Sequence, residues 1–223
     1  MPANYAQGDI RLLLPLKSGD CVRVLGDAPI LNRALLTEDV DLHVVVDKSP
    51  SQKHTDLITY YEGVDSKLPF GDASSDHVII PRLSPALMRD YPHNIKQILK
   101  PGGWLFVGFQ NAQRLQQLRF WKKKGHHQSL VMSNCLKQLQ QLDFQIVACY
   151  GIHNNLEHPQ YWIPLENPAI TNFYFTYIDI PYSRGAQMIR PFIYALTLAN
   201  RHSILFNDIA IIAHRPIKES INL

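Results

Sequence analysis

A glycine turn and an aspartate at a matching distance are the residues whose types and spacing most directly indicate chemistry. The sequence VRVLGDAPILNRALL (22–36) has the outline of a strand that passes through a turn at Gly26 into a helix, and Asp47 follows 21 residues after Gly26. A glycine allows a ligand close to the backbone, and a carboxylate in this place can accept hydrogen bonds from both hydroxyls of a ribose. The spacing therefore favours a nucleoside-binding site, with capping of a helix at DKSP (47–50) as the alternative for Asp47.

Polar side chains in the C-terminal third could contribute to catalysis. Four of them could line a pocket: His153, His158, Tyr161 and Trp162. One of the two histidines could act as a general base. Isolated loop histidines are more often solvated or hydrogen-bonded, and no histidine pair has metal-ligand spacing beside a third ligand. We therefore expect no metal site, and we take His153, His158 and Tyr161 as candidates for catalysis.

These residues must be positioned by the elements around them, which alternate between strands and helices. Four apolar runs predict strands that are covered on both faces: CVRVLG (21–26), DLHVVV (41–46), DHVII (76–80) and WLFVGF (104–109). Helices are predicted at 29–36, which begins with proline, and at 84–99, which begins with a capping serine and breaks or kinks at Pro92. The KPGG sequence (100–103) predicts a tight turn. This alternation indicates an α/β fold with a doubly wound, mostly parallel sheet.

The alternation continues beyond residue 110 and then changes. Residues 129–152 predict one further helix and strand. Residues 153–202 are rich in proline, aromatic residues and asparagine, and they predict a cap or insertion before a final strand at 204–216. The length of the chain is that of a single domain over residues 1–223.

Composition and charge limit the classes of protein. Hydrophobic residues make up 46% of the chain and charged residues 18%, and the longest apolar runs are too short for a membrane span. The N-terminal sequence has no basic region and only a short apolar stretch, so we expect no signal sequence and a cytoplasmic location. The net charge is only +3, and the basic cluster Lys122–Lys124 is interpreted as a solvated loop in preference to a phosphate-binding surface. Cys21, Cys135 and Cys149 are interpreted as reduced, buried thiols, without disulfide or metal chemistry.

Four stretches carry a resemblance to a known family: VVVDKSP (44–50), LPFGDASSDHVII (68–80), ILKPGGWLFV (98–107) and LKQLQQLDFQIV (136–147). In this order they resemble the class I S-adenosylmethionine-dependent methyltransferases, particularly the small-molecule type. The resemblance implies a Rossmann-like methyltransferase fold with a seven-stranded, mostly parallel sheet and S-adenosylmethionine as cofactor. It also implies that the last strand, near Leu205 to Ala213, lies antiparallel beside the fifth or sixth strand.

The resemblance also implies which residues bind the cofactor. Asp47 would hold the ribose, Asp27 could accept a hydrogen bond from the methionine ammonium, and Asp65 could approach the adenine amine if the turn shifts by one residue. For Asp65, a surface turn is the alternative. The full set of implied cofactor residues is Gly26, Asp27, Ala28, Asp47, Lys48 and Asp65.

The chain departs from the family at the first turn, which usually reads acidic-x-Gly-x-Gly-x-Gly. Val24, Ala28 and Ile30 stand at the acidic position and at two of the glycine positions. If those glycine positions require positive φ, each replacement costs about 1–2 kcal/mol. The branched side chain of Ile30 would also occupy space where a cofactor approaches the helix start.

Two functions are compatible with the resemblance. The first is methyl transfer to a small or conjugated metabolite, in which positioning can provide most of the acceleration without a dedicated base. Arg82 follows the predicted fourth strand and could anchor the substrate, or it could form a surface ion pair. The second is a catalytically inactive methyltransferase-like protein that binds or assembles with a protein partner, which the altered glycine turn favours.

Other partners are limited by charge and sequence. A nucleic-acid substrate is not expected, because the net charge is modest and the N-P-P-aromatic sequence of base-amine methylases is absent. The aromatic segment 161–182 and the helical pattern at 185–202 are expected to cover the carboxyl end of the sheet or to form a homodimer contact.

Overall fold

Eight strands form one mixed sheet in the computed structural model, which describes residues 10–26, 28–46, 58–62, 68, 70–113, 129–179 and 184–217. The strands are β1 (Cys21–Leu25), β2 (Asp41–Val46), β3 (Ile58–Glu62), β4 (Ser75–Ile80), β5 (Leu99–Gln110), β6 (Gln145–Asn154), β7 (Pro159–Pro164) and β8 (Asp208–His214). Their order across the sheet is β3-β2-β1-β4-β5-β8-β6-β7. The basic cluster Lys122–Lys124 lies outside the described residues.

The parallel half of the sheet is built around β1, which pairs with β2 on one side and with β4 on the other. Val22 and Val24 are completely buried, as are Val44 of β2 and Val78 of β4. Both faces of these strands are covered, which explains why their sequences are continuous apolar runs. The direction of winding reverses at β1, and such a reversal leaves a crevice at the carboxyl ends of the strands. The predicted doubly wound α/β fold is confirmed.

The last strand, β8, lies antiparallel between β5 and β6. Its residues Ile209, Ala210 and Ile211 are all completely buried. The predicted antiparallel position beside the fifth or sixth strand is therefore confirmed, and β8 in fact pairs with both.

The predicted number of seven strands is wrong by one, because β7 adds an eighth at the edge of the sheet. β7 pairs antiparallel with β6, with Gly151 opposite Ile163 and Ile152 opposite Trp162. Part of the segment 153–202, predicted as a cap or insertion, therefore forms a sheet strand. Proline at both ends of β7 hid it in the sequence, although an edge strand tolerates proline.

The KPGG sequence forms a bulge within β5 instead of a turn before it. Leu99 pairs with Ser75 and Trp104 pairs with His77, so β5 contains extra residues relative to β4. Gly102 adopts a φ of +80° and donates its N–H to the Arg215 carbonyl at 2.7 Å. The strand therefore begins at Leu99, where the sequence predicted the end of a helix.

Six helices flank the described part of the sheet: α1 (Pro29–Leu36), α2 (Pro85–Asp90), α3 (Pro92–Ile98), α4 (Met132–Gln141), α5 (Pro168–Phe173) and α6 (Arg184–Leu198). The predicted break at Pro92 is confirmed, since α2 ends at Asp90 and α3 begins at Pro92. The Ser84 hydroxyl caps α2 by accepting the Leu87 N–H at 3.2 Å. None of the described helices is long and apolar enough to cross a lipid bilayer.

The three cysteines differ in exposure, and the interpretation of all three as buried is wrong for one of them. Cys135 and Cys149 are 1% and 6% exposed, whereas Cys21 is only half-buried at the start of β1. Burial raises the pKa of Cys135 to about 12, and burial together with the charge of Glu166 raises that of Cys149 to about 12. Burial also raises the pKa of Cys21.

We expect Cys21 to be the first of the three thiols to react with an alkylating reagent in the native protein. At pH 8 a thiol with a pKa of about 12 is ionised in only about one molecule in ten thousand, and the thiolate is the reactive form. Iodoacetamide labelling followed by peptide mass spectrometry would measure the order of reaction. Labelling of Cys135 or Cys149 before Cys21 under native conditions would contradict this assignment, and labelling in denaturant provides the control.

Candidate functional site

A cavity of about 470 Å³ lies at the carboxyl ends of β1 and β4, where the winding of the sheet reverses. Its walls come from the start of α1, the turn after β4, the middle of β5 and the turn between β6 and β7. The volume falls within the range of small-molecule sites, and the position is where ligands bind in open α/β sheets. A second, apolar cavity of about 20 Å³ lies inside the core beneath α2 and α3 and is large enough only for a water molecule.

The turn between β1 and α1 depends on Gly26. This residue has a φ of +117°, and its N–H donates to the Val45 carbonyl at 2.8 Å, which holds the turn against β2. A Cβ atom at this position would meet no atom within 4 Å, so the space beside the backbone is open. Glycine is therefore required by the backbone conformation and leaves room for a ligand.

The condition under which the altered glycine positions would be strained, a positive φ, is not met. Ala28 has a φ of −144°, and Ile30 lies within α1 with an ordinary helical backbone. Neither residue needs the positive φ that favours glycine. The expectation about space is supported, because the half-exposed Ile30 side chain lines the cavity together with Ala28 and Leu31.

The start of α1 presents backbone donors at the cavity. Among the described residues no side chain caps this helix, and its first residue is Pro29, which has no N–H. The N–H groups of Ile30 and Leu31 have no partner within the helix, while Asn32 N–H donates to the Ala28 carbonyl at 2.8 Å. A helix start of this kind attracts polar or anionic ligand atoms.

Arg82 lies on the opposite wall, in the turn after β4. Its guanidinium contacts the Glu157 carboxylate at 3.2 Å, and both side chains are more than half exposed. An exposed ion pair of this type contributes little to stability, so a ligand can displace it at small cost. The two alternatives for Arg82, a substrate anchor and a surface ion pair, are therefore compatible. Arg82 forms the ion pair with Glu157, and both residues line the cavity.

Gly108 and Asp208 position the turn between β6 and β7, which forms one wall of the cavity. A Cβ at Gly108 would lie 2.6 Å from both Leu156 Cδ2 and the Pro81 carbonyl oxygen. The Asp208 carboxylate accepts the Leu156 N–H at 3.2 Å. The absence of a side chain at position 108 therefore allows the turn after β4 and the β6–β7 turn to meet, as expected for a glycine inside a strand.

An aromatic wall completes the cavity on the same face of the sheet. Phe106 of β5 and Trp162 of β7 line the cavity and pack edge to face, with ring centroids 6.0 Å apart. The separation of Phe106 and Trp162 along the chain does not predict this contact. The contact depends on β8, which pairs with both β5 and β6. Of the residues proposed for the pocket in the C-terminal third, only Trp162 is among its lining residues.

The other candidates from that region lie elsewhere. His153 and Tyr161 are opposite each other in the β6–β7 pair and lie on the other face of the sheet, where both rings pack against Tyr174. His158 is exposed in the β6–β7 turn, between two residues that line the cavity, and its carbonyl accepts a hydrogen bond from Asn154. The sheet therefore separates His153 and Tyr161 from Arg82.

Four of the implied cofactor residues, Asp27, Asp47, Lys48 and Asp65, lie outside the described residues, and their roles stay predictions. Sequence reasoning also missed several residues that line the cavity: Ile10, Phe106, Leu156 and Glu157. A glycine inside the predicted strand at 104–109 was the one local signal of a close approach at this point.

No protein-family model and no curated protein matches the sequence. Solved structures match its fold. A structure of an S-adenosylmethionine-dependent methyltransferase from Archaeoglobus fulgidus is similar, with a TM-score of 0.59 and 14% identity over 93% of this chain and 92% of that chain. The complex between the Haloferax volcanii Trm112 methyltransferase activator and a methyltransferase contains a chain with a TM-score of 0.58 and 20% identity, over 96% and 88%.

The [4+2]-cyclase SpnF is also similar, with a TM-score of 0.51 and 13% identity over 91% of this chain and 76% of that chain. At these identities the comparisons establish the fold, which is that of S-adenosylmethionine-dependent methyltransferases. A cyclase among the neighbours illustrates that one fold carries more than one chemistry.

We expect Gly108→Ala to lower the free energy of unfolding by about 1–3 kcal/mol, because the added methyl group overlaps Leu156 and the Pro81 carbonyl. Gly71→Ala is the matched control, since a Cβ there would meet no atom within 4 Å. Urea denaturation of the three proteins would measure the difference. Equal stability of the two variants would contradict the close approach at Gly108.

Proposed function

We propose that this protein transfers a methyl group from S-adenosylmethionine to a small or conjugated metabolite. The observation that carries the proposal is the cavity of about 470 Å³, which is lined by Ala28 and the start of α1 at the carboxyl ends of the parallel strands. The fold shared with S-adenosylmethionine-dependent methyltransferases supports it. When bound, the cofactor supplies an electrophilic methyl group.

The described residues fit a nucleoside cofactor in three respects. The space beside Gly26 is open, the N–H groups of Ile30 and Leu31 are available as donors, and the remaining walls are mainly apolar. On the resemblance, Asp47 would accept hydrogen bonds from the ribose hydroxyls, with Lys48 beside it, while Asp27 and Asp65 would contact the two ends of the cofactor. These carboxylates would supply polar contacts that the apolar walls do not.

The methyl acceptor would lie between the cofactor and the wall formed by Arg82 and Glu157. Arg82 can bind a carboxylate or phosphate group on the acceptor through paired N–H donors once Glu157 is displaced. Phe106 and Trp162 can exclude water and pack against the acceptor's apolar part. Orientation in such a pocket accelerates transfer without a dedicated base, so the distance of His153 from the cavity face does not oppose the proposal.

A second function, binding to a protein partner without catalysis, is favoured by the surface of the C-terminal segment. Several large apolar side chains there are 40–70% exposed: Ile170, Phe173, Tyr177, Ile178, Phe192, Tyr194 and Leu198. Clusters of exposed apolar side chains often mark association surfaces. The Haloferax volcanii neighbour occurs in a complex with an activator protein. A homodimer contact through this segment is the form of association that we propose.

We expect S-adenosylmethionine to bind the native protein and Asp47→Ala to weaken that binding by about 1.5–3 kcal/mol, roughly 10- to 150-fold in Kd, because the ribose would lose charge-assisted hydrogen bonds. Isothermal titration calorimetry with the cofactor and its demethylated product would measure both values. Asp72→Ala is the matched control. Asp72 is an exposed aspartate that precedes β4, at the amino end of the strand, whereas the cavity lies at the carboxyl end.

The same titrations can overturn the proposed enzymatic function. If millimolar cofactor neither binds the native protein nor raises its melting temperature, the chain is a partner protein with a methyltransferase fold. Equal weakening by Asp72→Ala would show that the loss at Asp47 is not specific to the cofactor.

We expect the native protein to form a dimer that Tyr194→Glu and Leu198→Glu shift toward monomer, because a charge in an apolar contact is costly to bury. Leu12→Glu is the control, since Leu12 is 82% exposed but lies far along the chain in a short N-terminal helical turn. Light scattering coupled to size-exclusion chromatography would measure the mass of each. A native protein that is monomeric at every concentration tested would rule out this contact.

A further inference from the structure

Three potential metal ligands converge at the amino ends of β1 and β2. The cavity lies at the other, carboxyl ends of the strands. They are Cys21, the first residue of β1, and Asp41 and His43 of β2. The Cys21 Sγ, a carboxylate oxygen of Asp41 and a ring nitrogen of His43 lie within 4.8 Å of one another. From the sequence no metal site was expected, and Cys21 was interpreted as a thiol without metal chemistry.

The register of the sheet produces this convergence. Cys21 pairs directly with Asp41, and His43 follows two residues later on the same face of β2. Neighbouring parallel strands lie about 4.8 Å apart, and alternate residues of one strand share a face. The positions of the three Cβ atoms are therefore set by two paired strands, which makes the cluster more rigid than one on a loop.

The donor set matches the preferences of zinc. Zn²⁺ binds thiolate sulfur, imidazole nitrogen and carboxylate oxygen in tetrahedral sites, with about 2.3 Å to sulfur and about 2.0–2.2 Å to nitrogen and oxygen. These lengths place ligand atoms about 3.4–3.6 Å apart, so side-chain rotation must close the cluster by about 1 Å. His43 Nε2 already lies 2.9 Å and 3.0 Å from the two Asp41 carboxylate oxygens.

We propose that Cys21, Asp41 and His43 bind one Zn²⁺ ion, with a water molecule as the fourth ligand. The ion would replace the hydrogen bond between His43 and Asp41 and would join the starts of β1 and β2. This proposal concerns the edge of the sheet remote from the cavity and does not depend on the proposed function.

Nearby residues orient the ligands. The backbone N–H of Cys21 donates to the Asp76 carboxylate at 3.0 Å, which holds the first residue of β1 in place. The His43 ring packs edge to face against Phe70, with centroids 6.2 Å apart. These two contacts fix the start of β1 and the orientation of the His43 ring.

Two cations lie near the cluster, and each has a counterpart. Lys100 contacts the Asp76 carboxylate at 2.8 Å. The Arg23 guanidinium lies over the Phe70 ring, 4.4 Å from its centroid. Both cations are therefore engaged by neighbouring side chains.

Cobalt provides the sharpest test, because Co²⁺ substitutes for Zn²⁺ and its bond to a thiolate gives a sulfur-to-metal charge-transfer absorption. We expect stoichiometric Co²⁺ to produce this band in the reduced native chain, and Zn²⁺ to displace the cobalt and abolish it. Cys21→Ser should eliminate the band, since Cys135 and Cys149 are buried in the core.

Variants of the other two ligands separate the site from nonspecific binding. Asp41→Asn and His43→Ala should each weaken Co²⁺ binding at least about tenfold. Asp41 has a side chain that is 63% exposed, so its substitution is compatible with folding even if another variant is not. His93→Ala, which removes an exposed histidine of α3, is the matched control and should bind Co²⁺ like the native protein.

Several outcomes would overturn the proposal. The absence of a charge-transfer band in the native protein would do so, as would a band that persists in Cys21→Ser. Equal Co²⁺ affinity of Asp41→Asn, His43→Ala and the native chain would also exclude the three-ligand site. A metal-induced rise in melting temperature that survives Cys21→Ser would indicate binding elsewhere on the chain.

Discussion

The parallel pairing of β1 with β2 on one side and β4 on the other is the constraint on which the rest of the structure depends. Each end of β1 is fixed relative to its neighbours by this ladder. At the carboxyl end the ladder places the start of α1 and the turn that contains Arg82 at the same cavity. At the amino end it places Cys21 beside Asp41. The cavity and the proposed metal site lie at opposite ends of β1, and the register of β1 positions both. Because they are at opposite ends, a ligand bound at one need not disturb the other.

The antiparallel strands serve the cavity by completing its far wall. β8 inserts between β5 and β6, so the β6–β7 turn reaches the same edge of the sheet as the turn after β4. Gly108 allows these turns to meet, and Asp208 holds the second turn through Leu156 N–H. Phe106 of β5 and Trp162 of β7 contact each other across this part of the sheet. The shape of the pocket therefore depends on strands that are distant along the chain.

The chemistry proposed for the cavity relies on binding and orientation. Its wall offers a cation, Arg82, and the start of α1, whereas His153, one of the two candidate bases, lies on the other face of the sheet. The loss of two motif glycines carries less weight against cofactor binding than the sequence suggested, because Ala28 and Ile30 have negative φ. The isoleucine at position 30 instead changes the shape of the pocket, because its side chain lines the cavity.

Local pattern was enough to predict the strand–helix alternation and the break at Pro92, because burial on both faces imposes continuous apolar runs and proline interrupts a helix whatever surrounds it. The antiparallel last strand was predicted from the family resemblance. Tertiary structure alone decided which face each side chain occupies. His153 and Trp162 are close in sequence yet lie on opposite sides of the sheet, and Cys21 and Asp41 are distant yet adjacent. Such contacts depend on strand register and order, which arise from pairing between remote segments and leave no periodicity in the sequence.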